Sequence, residues 1–153
     1  MKKKIAILGS TGSIGKSLIK IISKDKKNFE VVLLAAEKND VELFKQAKLL
    51  KVKNLIITNK KVFDILKKRN KKSFKIFNDY KKLDFIFKKK IDYVMSSISG
   101  INGLQPTLDI IKYTKKIAIA NKESIICGWS LLNKKMKLHK TEFVPIDSEH
   151  FSI

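Results

Sequence analysis

The residues with the clearest chemical potential form a glycine-rich loop, Gly9-Ser10-Thr11-Gly12-Ser13-Ile14-Gly15. The loop has the spacing G-x-x-G-x-x-G and follows a short apolar run, Ile5-Ala6-Ile7-Leu8. Glycines at a strand-to-helix turn allow a tight bend and bring backbone N–H groups against a phosphate, and the helix N-terminus adds partial positive charge. Because the loop lies in the first predicted βα unit, it predicts a dinucleotide-binding site.

The end of the second predicted strand bears on which dinucleotide is bound. An acidic residue there accepts a hydrogen bond from the ribose 2′-hydroxyl of NAD, whereas a cation accommodates the 2′-phosphate of NADP. The chain has Glu37, Lys38 and Asn39 side by side at this point. The acid and the cation favour different cofactors, so the residues themselves leave the choice open.

These segments are positioned by alternating short apolar runs and longer amphipathic ones, a pattern typical of βαβ units around a parallel sheet. The predicted strands are Lys4–Leu8, Glu30–Ala36, Asn54–Ile57, Phe74–Phe77, Asp92–Ser96, Ile117–Ala120 and Thr141–Pro145. The predicted helices are Ser13–Ser23, Val41–Leu50, Lys60–Arg69, Asp79–Phe87, Pro106–Tyr113 and Lys122–Lys137. The predicted fold class is therefore α/β, with a doubly wound, mostly parallel sheet of the Rossmann-like kind.

Several local features follow from the same patterns. Asp40 is the expected N-cap of the second helix because its carboxylate can accept a backbone N–H bond. The last helix is expected to break near Gly128, and Cys127 is expected to be a small core residue. Trp129 is expected to pack between the last helix and the sheet.

The charge of the chain is strongly positive, with 34 Lys and Arg against 14 Asp and Glu and a net charge of +20. Such an excess raises nucleic acid as a partner. However, Arg69 is the only arginine, and the lysines are spread from Lys2 to Lys140. Specific readout of phosphates and bases relies heavily on the bidentate arginine fork, so we interpret the lysines as a solvated surface and expect no nucleic-acid partner.

The compartment is expected to be the cytoplasm. Cys127 is the only cysteine, which excludes an intramolecular disulfide and indicates a reducing environment. The apolar run after Met1-Lys2-Lys3-Lys4 ends at Gly9, which is too early for a signal peptide. No stretch approaches the ~20 apolar residues of a membrane span, so no membrane partner is expected.

Four stretches of the chain point to one enzyme family. They are the glycine loop, Lys38-Asn39, Ala120-Asn121-Lys122-Glu123-Ser124 and Pro145-Ile146-Asp147-Ser148-Glu149-His150. Together they resemble the motifs of the 1-deoxy-D-xylulose 5-phosphate reductoisomerases. The resemblance implies an NADPH-dependent enzyme of non-mevalonate isoprenoid biosynthesis that uses one divalent cation (Mg, Mn or Co). Its reaction converts 1-deoxy-D-xylulose 5-phosphate into 2-C-methyl-D-erythritol 4-phosphate, and family members are usually homodimers.

The resemblance also implies roles for individual residues. The residues expected to contact NADPH are Thr11, Gly12, Ser13 and Ile14 in the loop, Lys38 and Asn39 at the adenosine end, and Asn121 and Glu123 near the nicotinamide. The residues expected to contact the phosphosugar substrate are Lys122, Ser148 and Glu149. Asp147 and Glu149 are the implied metal ligands, and Glu149 is the implied catalytic residue.

The chemistry of the implied metal site is consistent with its residue types. Hard divalent cations prefer carboxylate oxygens, and alternate residues of an extended segment project to the same side. Asp147 and Glu149 can therefore share one ion while Ser148 turns elsewhere. Without the resemblance, an isolated Asp-Ser-Glu run is more typical of a helix cap or a turn.

The chain departs from the family pattern in two respects. Glu37 stands where the family usually has glycine, and a carboxylate beside a 2′-phosphate would repel it. The chain also stops at Ile153, where the catalytic domain of the family begins. We therefore expect residues 1–140 to be the NADPH-binding domain, residues 141–153 to be the start of the metal- and substrate-binding domain, and the 153 residues alone to be inactive.

Three alternatives compete with this interpretation. An inactive NADP-binding module or gene remnant would bind the nucleotide and catalyse nothing. A basic nucleic-acid-binding protein would show salt-sensitive binding to DNA or RNA. An unrelated nicotinamide dehydrogenase would explain the glycine loop but not the two later motifs.

Overall fold

The computed structural model describes residues 1–69 and 73–146, which form seven strands and six α-helices. The strands are β1 (Lys3–Leu8), β2 (Phe29–Ala36), β3 (Asn54–Ile57), β4 (Lys75–Phe77), β5 (Ile91–Ser96), β6 (Thr114–Ile119) and β7 (Glu142–Pro145). The helices are α1 (Ser13–Lys24), α2 (Asp40–Leu50), α3 (Lys60–Arg69), α4 (Leu83–Ile86), α5 (Leu104–Ile110) and α6 (Lys122–His139). Two 3-10 turns, Ile101–Gly103 and Ile111–Tyr113, flank α5.

The strands form one sheet in the order β4-β3-β2-β1-β5-β6-β7, and every pairing between them is parallel. The chain builds one half of the sheet outward from β1 to β4. It then returns to the centre and places β5 on the other side of β1. This reversal is the topological switch point of a doubly wound sheet, and it confirms the predicted fold class.

The central strands are buried on both faces, and their alternating side chains feed two separate cores. In β1, Ala6 and Leu8 belong to one core while Ile5 and Ile7 belong to the other. This division follows from the two-residue repeat of a strand. Helices α1, α2 and α3 cover the second core, and α4, α5 and α6 cover the first.

The edge of the sheet at the amino ends of the strands is tied together by one carboxylate. Asp92, at the start of β5, accepts hydrogen bonds from Lys115 Nζ and from the backbone N–H of Lys4, each at 2.9 Å. These two bonds hold the pKa of Asp92 below its ordinary value. The carboxyl ends of the strands lie at the opposite edge.

The predicted strands agree with the observed ones within three residues at each end, but the helix predictions contained errors. Asp40 is not the N-cap of α2, because the side chain of Asn39 accepts the N–H of Glu42 instead. Helix α4 spans only Leu83–Ile86 rather than Asp79–Phe87.

Helix α6 shows two further corrections and one agreement. It runs unbroken from Lys122 to His139, so the break expected at Gly128 is absent. Gly128 faces the interior at four-residue spacing with Leu132 and Met136, and Cys127 is therefore exposed rather than buried. The Trp129 ring does contact the ring of Phe143 on β7 edge-on, with centroids 5.2 Å apart, but Trp129 remains 40% exposed.

Within the described ranges, no helix has both the length and the apolar character that crossing a membrane requires.

The inward face of α6 can be tested with two adjacent leucines. We expect Leu132→Ala to lower the free energy of unfolding by about 2–5 kcal/mol, because Leu132 is completely buried and its truncation leaves a cavity. Leu131→Ala is the control, since Leu131 is 57% exposed and should change stability by less than ~0.5 kcal/mol. Urea denaturation of both variants measures the difference, and equal effects would contradict the orientation of α6.

Candidate functional site

The glycine loop between β1 and α1 bends tightly at Gly9. This residue has φ of +74°, a conformation that side chains other than that of glycine rarely adopt. A Cβ atom at Gly9 would also lie 2.6 Å from the carbonyl oxygen of Ser97. The N–H groups of Gly9 and Ser10 both donate to Ala35 O at 2.9 Å, which anchors the loop to the end of β2.

The other two glycines of the loop differ in what requires them. A Cβ atom at Gly15 would lie 2.5 Å from Gly9 O and 2.6 Å from Ser10 Cα, so the close approach of α1 to the loop excludes a side chain. A Cβ atom at Gly12 would meet only Gly9 O, at 3.5 Å, which is an ordinary contact. Gly12 also has φ of −76°. Nothing in the described part of the protein therefore requires glycine at position 12, and the space beside it is open to a ligand that approaches α1.

The N-terminus of α1 starts at Ser13, next to this space. The N–H groups of the first helical turn have no carbonyl partner within a helix, and the helix dipole adds positive potential. The first turn contains no acidic residue that would offset this potential. The arrangement suits a phosphate group.

The α1 N-terminus opens onto a cleft of about 190 Å³. Three loops at the carboxyl ends of the adjacent strands β1, β5 and β6 form its walls. The lining residues are Gly12, Ser13, Ile14, Ser97, Ile98, Ser99, Gly100, Ala120, Asn121 and Glu123. The cleft thus lies at the switch point of the sheet, where nucleotides bind in folds of this class.

Asn121 holds two of these loops together. Its Oδ1 accepts the N–H of Ser124 at 3.1 Å and so caps α6, while its Nδ2 donates to the carbonyls of Ile98, at 2.6 Å, and Gly100. The side chain is buried although it lines the cleft. Its amide therefore fixes the cleft wall from within.

Ser97 is a part of the site that the sequence analysis missed. Its hydroxyl donates to Leu8 O at 2.8 Å, and its N–H donates to the same carbonyl at 2.9 Å. These bonds fasten the end of β5 to the start of the glycine loop. The available signal was its place directly after a predicted strand in a Ser-rich loop.

The structure brings together five of the eight residues expected to contact the cofactor, since Gly12, Ser13, Ile14, Asn121 and Glu123 all line the cleft. Thr11 is half-buried in the same glycine loop. Lys122, expected to contact substrate, is exposed in the first turn of α6 beside Glu123.

The segment expected at the adenosine end lies at the carboxyl end of the neighbouring strand β2. Glu37, Lys38 and Asn39 are all exposed there. The carbonyl of Glu37 accepts the N–H of Asn59 at 2.8 Å, which fixes the backbone of the segment. Asn39 has a structural task as well, because it caps α2.

The expected metal and substrate residues Asp147, Ser148 and Glu149 lie outside the described residues. Among the residues that the structure does describe, no group of three or more His, Cys, Asp and Glu side chains could hold a metal ion. The roles of Asp147, Ser148 and Glu149 therefore stay predictions.

Comparison with known proteins decides the family. The family model described as 1-deoxy-D-xylulose 5-phosphate reductoisomerase matches residues 5–128. The chain belongs to this family. A reductoisomerase from Pelagibacter ubique is 60% identical over 154 residues, covering 99% of this chain and 40% of the relative.

Solved structures of reductoisomerases have the same fold as this chain. The Zymomonas mobilis enzyme in complex with NADPH superposes with a TM-score of 0.86 at 30% identity, covering 98% of this chain and 40% of that one. A reductoisomerase in complex with NADPH, fosmidomycin and magnesium gives 0.85 at 29% identity, covering 97% of this chain and 37% of that one. The chain thus spans about 40% of the length of the reductoisomerases it matches.

The role of Asn121 in this reductoisomerase cleft can be tested by an isosteric change. We expect Asn121→Asp to lower the free energy of unfolding by about 1–3 kcal/mol, because a carboxylate keeps the α6 cap but faces two carbonyls without a donor. Asn102→Asp, at an exposed position, is the control. Urea denaturation measures both, and an unchanged Asn121→Asp variant would contradict the network.

Proposed function

We propose that this chain is the NADPH-binding part of a 1-deoxy-D-xylulose 5-phosphate reductoisomerase. The main support for this proposal is the cleft at the switch point of the sheet. There the N-terminus of α1 lies beside Gly12, a glycine that the packing of the described residues does not require. Family membership supplies the cofactor and the reaction, since the solved reductoisomerases include complexes with NADPH and magnesium.

The cofactor's pyrophosphate binds at the glycine loop. Backbone N–H groups of Thr11, Ser13 and Ile14 lie at the N-terminus of α1, where two negative phosphates gain from hydrogen bonds and from the helix dipole. The N–H of Gly12 donates to Gly9 O at 3.2 Å instead. Gly12 allows the phosphates to approach the backbone. The start of the same loop is anchored by the two hydrogen bonds to Ala35 O.

The adenosine end lies over the end of β2. Lys38 offers a positive charge to the 2′-phosphate, and Asn39 begins α2 at the same place. Glu37 opposes this charge because its carboxylate is exposed in the same segment. The segment therefore binds NADP with an affinity that Glu37 lowers.

The nicotinamide end enters the cleft beside α6. Asn121 sets the wall and Glu123 lines the space between the loops that follow β5 and β6, and these two residues would hold the nicotinamide ring. Lys122, at the start of α6, contacts the substrate in this proposal. When bound, NADPH supplies the hydride that reduces the rearranged phosphosugar, and the protein supplies placement and electrostatics.

The metal site and the substrate complete the proposal. Asp147 and Glu149 supply carboxylates to one divalent cation (Mg, Mn or Co), while Ser148 and Glu149 contact 1-deoxy-D-xylulose 5-phosphate, with Glu149 as the catalytic residue. The product is 2-C-methyl-D-erythritol 4-phosphate.

The organisation of the whole protein is part of the same proposal. Residues 1–140 form the NADPH-binding domain, and residues 141–153 begin the metal- and substrate-binding domain, whose first strand β7 extends the sheet beside β6. The full-length enzyme is a cytoplasmic homodimer with no nucleic-acid or membrane partner.

Binding and turnover measured separately distinguish this function from its alternative. Fluorescence titration of the chain with NADPH tests the binding domain, with NADH as the comparison cofactor. Enzyme activity is tested in a polypeptide that contains this chain and has the length of the related reductoisomerases. The assay follows oxidation of NADPH in the presence of 1-deoxy-D-xylulose 5-phosphate and Mn²⁺. Binding without turnover there favours an inactive NADP-binding module, and no binding at all overturns the proposal.

The function of Gly12 can be separated from the stability of the fold. We expect Gly12→Ala to weaken NADPH binding about tenfold, or ~1.4 kcal/mol, because the methyl group occupies the space that the phosphates need. Its free energy of unfolding should stay within ~0.5 kcal/mol of the original protein. Gly15→Ala should instead destabilise the fold, since its Cβ atom has no room. Unaltered NADPH affinity in Gly12→Ala would contradict a phosphate site at this position.

Glu37 is expected to limit affinity for the 2′-phosphate. We expect Glu37→Gln to tighten NADPH binding roughly two- to fivefold, with a smaller change for NADH, because only NADPH carries the 2′-phosphate. The gain should shrink as salt rises. Glu30→Gln, at the exposed opposite end of β2, removes the same charge and should leave the NADPH-to-NADH ratio unchanged. Parallel titrations with both cofactors measure that ratio. If Glu37→Gln and Glu30→Gln change the ratio equally, repulsion between Glu37 and the 2′-phosphate is contradicted.

A further inference from the structure

We propose that Gln46 is a positioning residue that couples the phosphate loop to the adenosine-binding segment, an inference that rests on the proposed NADPH function. Gln46 lies in the middle of α2 and is only 2% exposed. Its Nε2 donates to Ser10 O at 2.9 Å and to Glu42 Oε1 at 3.2 Å. One amide group thus joins α2 to the glycine loop.

These bonds form part of a longer connection. The N–H of Glu42 donates to Asn39 Oδ1 at 3.2 Å, and Asn39 belongs to the segment at the end of β2. The path therefore runs from Ser10 through Gln46 and Glu42 to Asn39. It links the two places where NADPH is expected to be held at its phosphates and at its adenosine.

The Ser10 carbonyl is the important end of this path. Ser10 is completely buried, and its N–H is already bound to Ala35 O. Gly15 packs so closely that a Cβ atom there would lie 2.6 Å from both Ser10 Cα and Ser10 O. Gln46 holds the Ser10 carbonyl toward α2. A carbonyl turned toward the cleft would instead present a negative dipole to the cofactor's phosphates.

An amide is the side chain that fits this position. Two acceptors, Ser10 O and Glu42 Oε1, converge on the same Gln46 nitrogen, which carries two N–H donors. A carboxylate would oppose both acceptors, and a thioether would satisfy neither. The two partners therefore account for the amide nitrogen, whereas Gln46 Oε1 is buried and has no hydrogen-bond partner among the described residues.

The packing of α2 does not depend on this amide. Leu43 and Ala47 are completely buried in the core that α2 covers, and they hold the helix by apolar contact. We therefore expect loss of the Gln46 donor to change the geometry of the loop more than the position of the helix. This difference separates a positioning role from general packing.

The test uses Gln46→Glu and Gln46→Met, with NADPH affinity measured by fluorescence titration and expressed relative to the original protein at each pH. At about pH 8 both variants should bind NADPH roughly tenfold more weakly. Between about pH 8 and pH 6, Gln46→Glu should recover affinity, because a buried carboxyl beside Glu42 protonates in this range and then donates to Ser10 O. Gln46→Met has no donor and should not recover.

Gln105→Glu is the matched control. Gln105 Nε2 donates to Asp109 Oδ1 at 2.8 Å, the same four-residue pairing on an exposed face of α5 with no bond to the glycine loop. This variant should bind NADPH like the original protein at every pH. Thermal unfolding of all three variants shows whether the fold is retained.

The outcomes distinguish this inference from the proposed function. If the original protein does not bind NADPH, the proposed function fails. If the original protein binds NADPH and both Gln46 variants bind it as tightly as the original protein does, the positioning role is overturned. It is also overturned if both variants lose affinity by the same factor at every pH, because that pattern reflects packing rather than the donor to Ser10.

Discussion

The close approach of α1 to the end of β1 is the constraint on which the rest of the structure depends. At Gly15 the helix starts so near Gly9 O and Ser10 Cα that no side chain fits between them. This contact aims the N-terminus of α1 at the space beyond β1, where β5 has its own end. A longer distance between α1 and β1 would move the helix outward, and the N–H groups of its first turn would lie farther from the cleft. The position of the cleft is thus a consequence of how tightly one helix packs on its strand.

The loops around this contact are held by polar side chains rather than by apolar packing. Ser97 fastens the loop after β5 to Leu8 O, Asn121 joins that loop to α6, and Gln46 ties the glycine loop to α2. Each side chain satisfies backbone carbonyls that would otherwise lose their hydrogen bonds to water. A cleft wall made of loops can therefore stay ordered, which lowers the entropy cost of binding a cofactor.

Electrostatics act on this site at two distances. The net charge of +20, carried almost wholly by lysine, favours the approach of any anion and is weakened by salt. In the proposed NADPH complex, the α1 N-terminus and Lys38 attract phosphate while Glu37 repels it. The short-range groups are the ones that discriminate between cofactors, because the long-range field acts on all anions alike. The scattered lysines thus agree with a nucleotide site without indicating a nucleic-acid surface.

Local sequence determined most of the architecture and only part of the site. Short, β-branched runs such as Ile5–Leu8 favour buried strands, and their alternation with amphipathic helices indicates the doubly wound sheet. The glycine loop was visible because its requirements are local. The roles of Gln46 and Ser97 were not visible in the sequence, since their hydrogen-bond partners lie 36 and 89 residues away along the chain.

Two details of the helices could not be predicted either. Asn39 rather than Asp40 caps α2, which depends on where the helix starts. Gly128 rather than Cys127 faces inward, which depends on how α6 is rotated about its axis. Tertiary packing sets both, because neighbouring residues of one helix face different directions and only the sheet beneath decides which is buried.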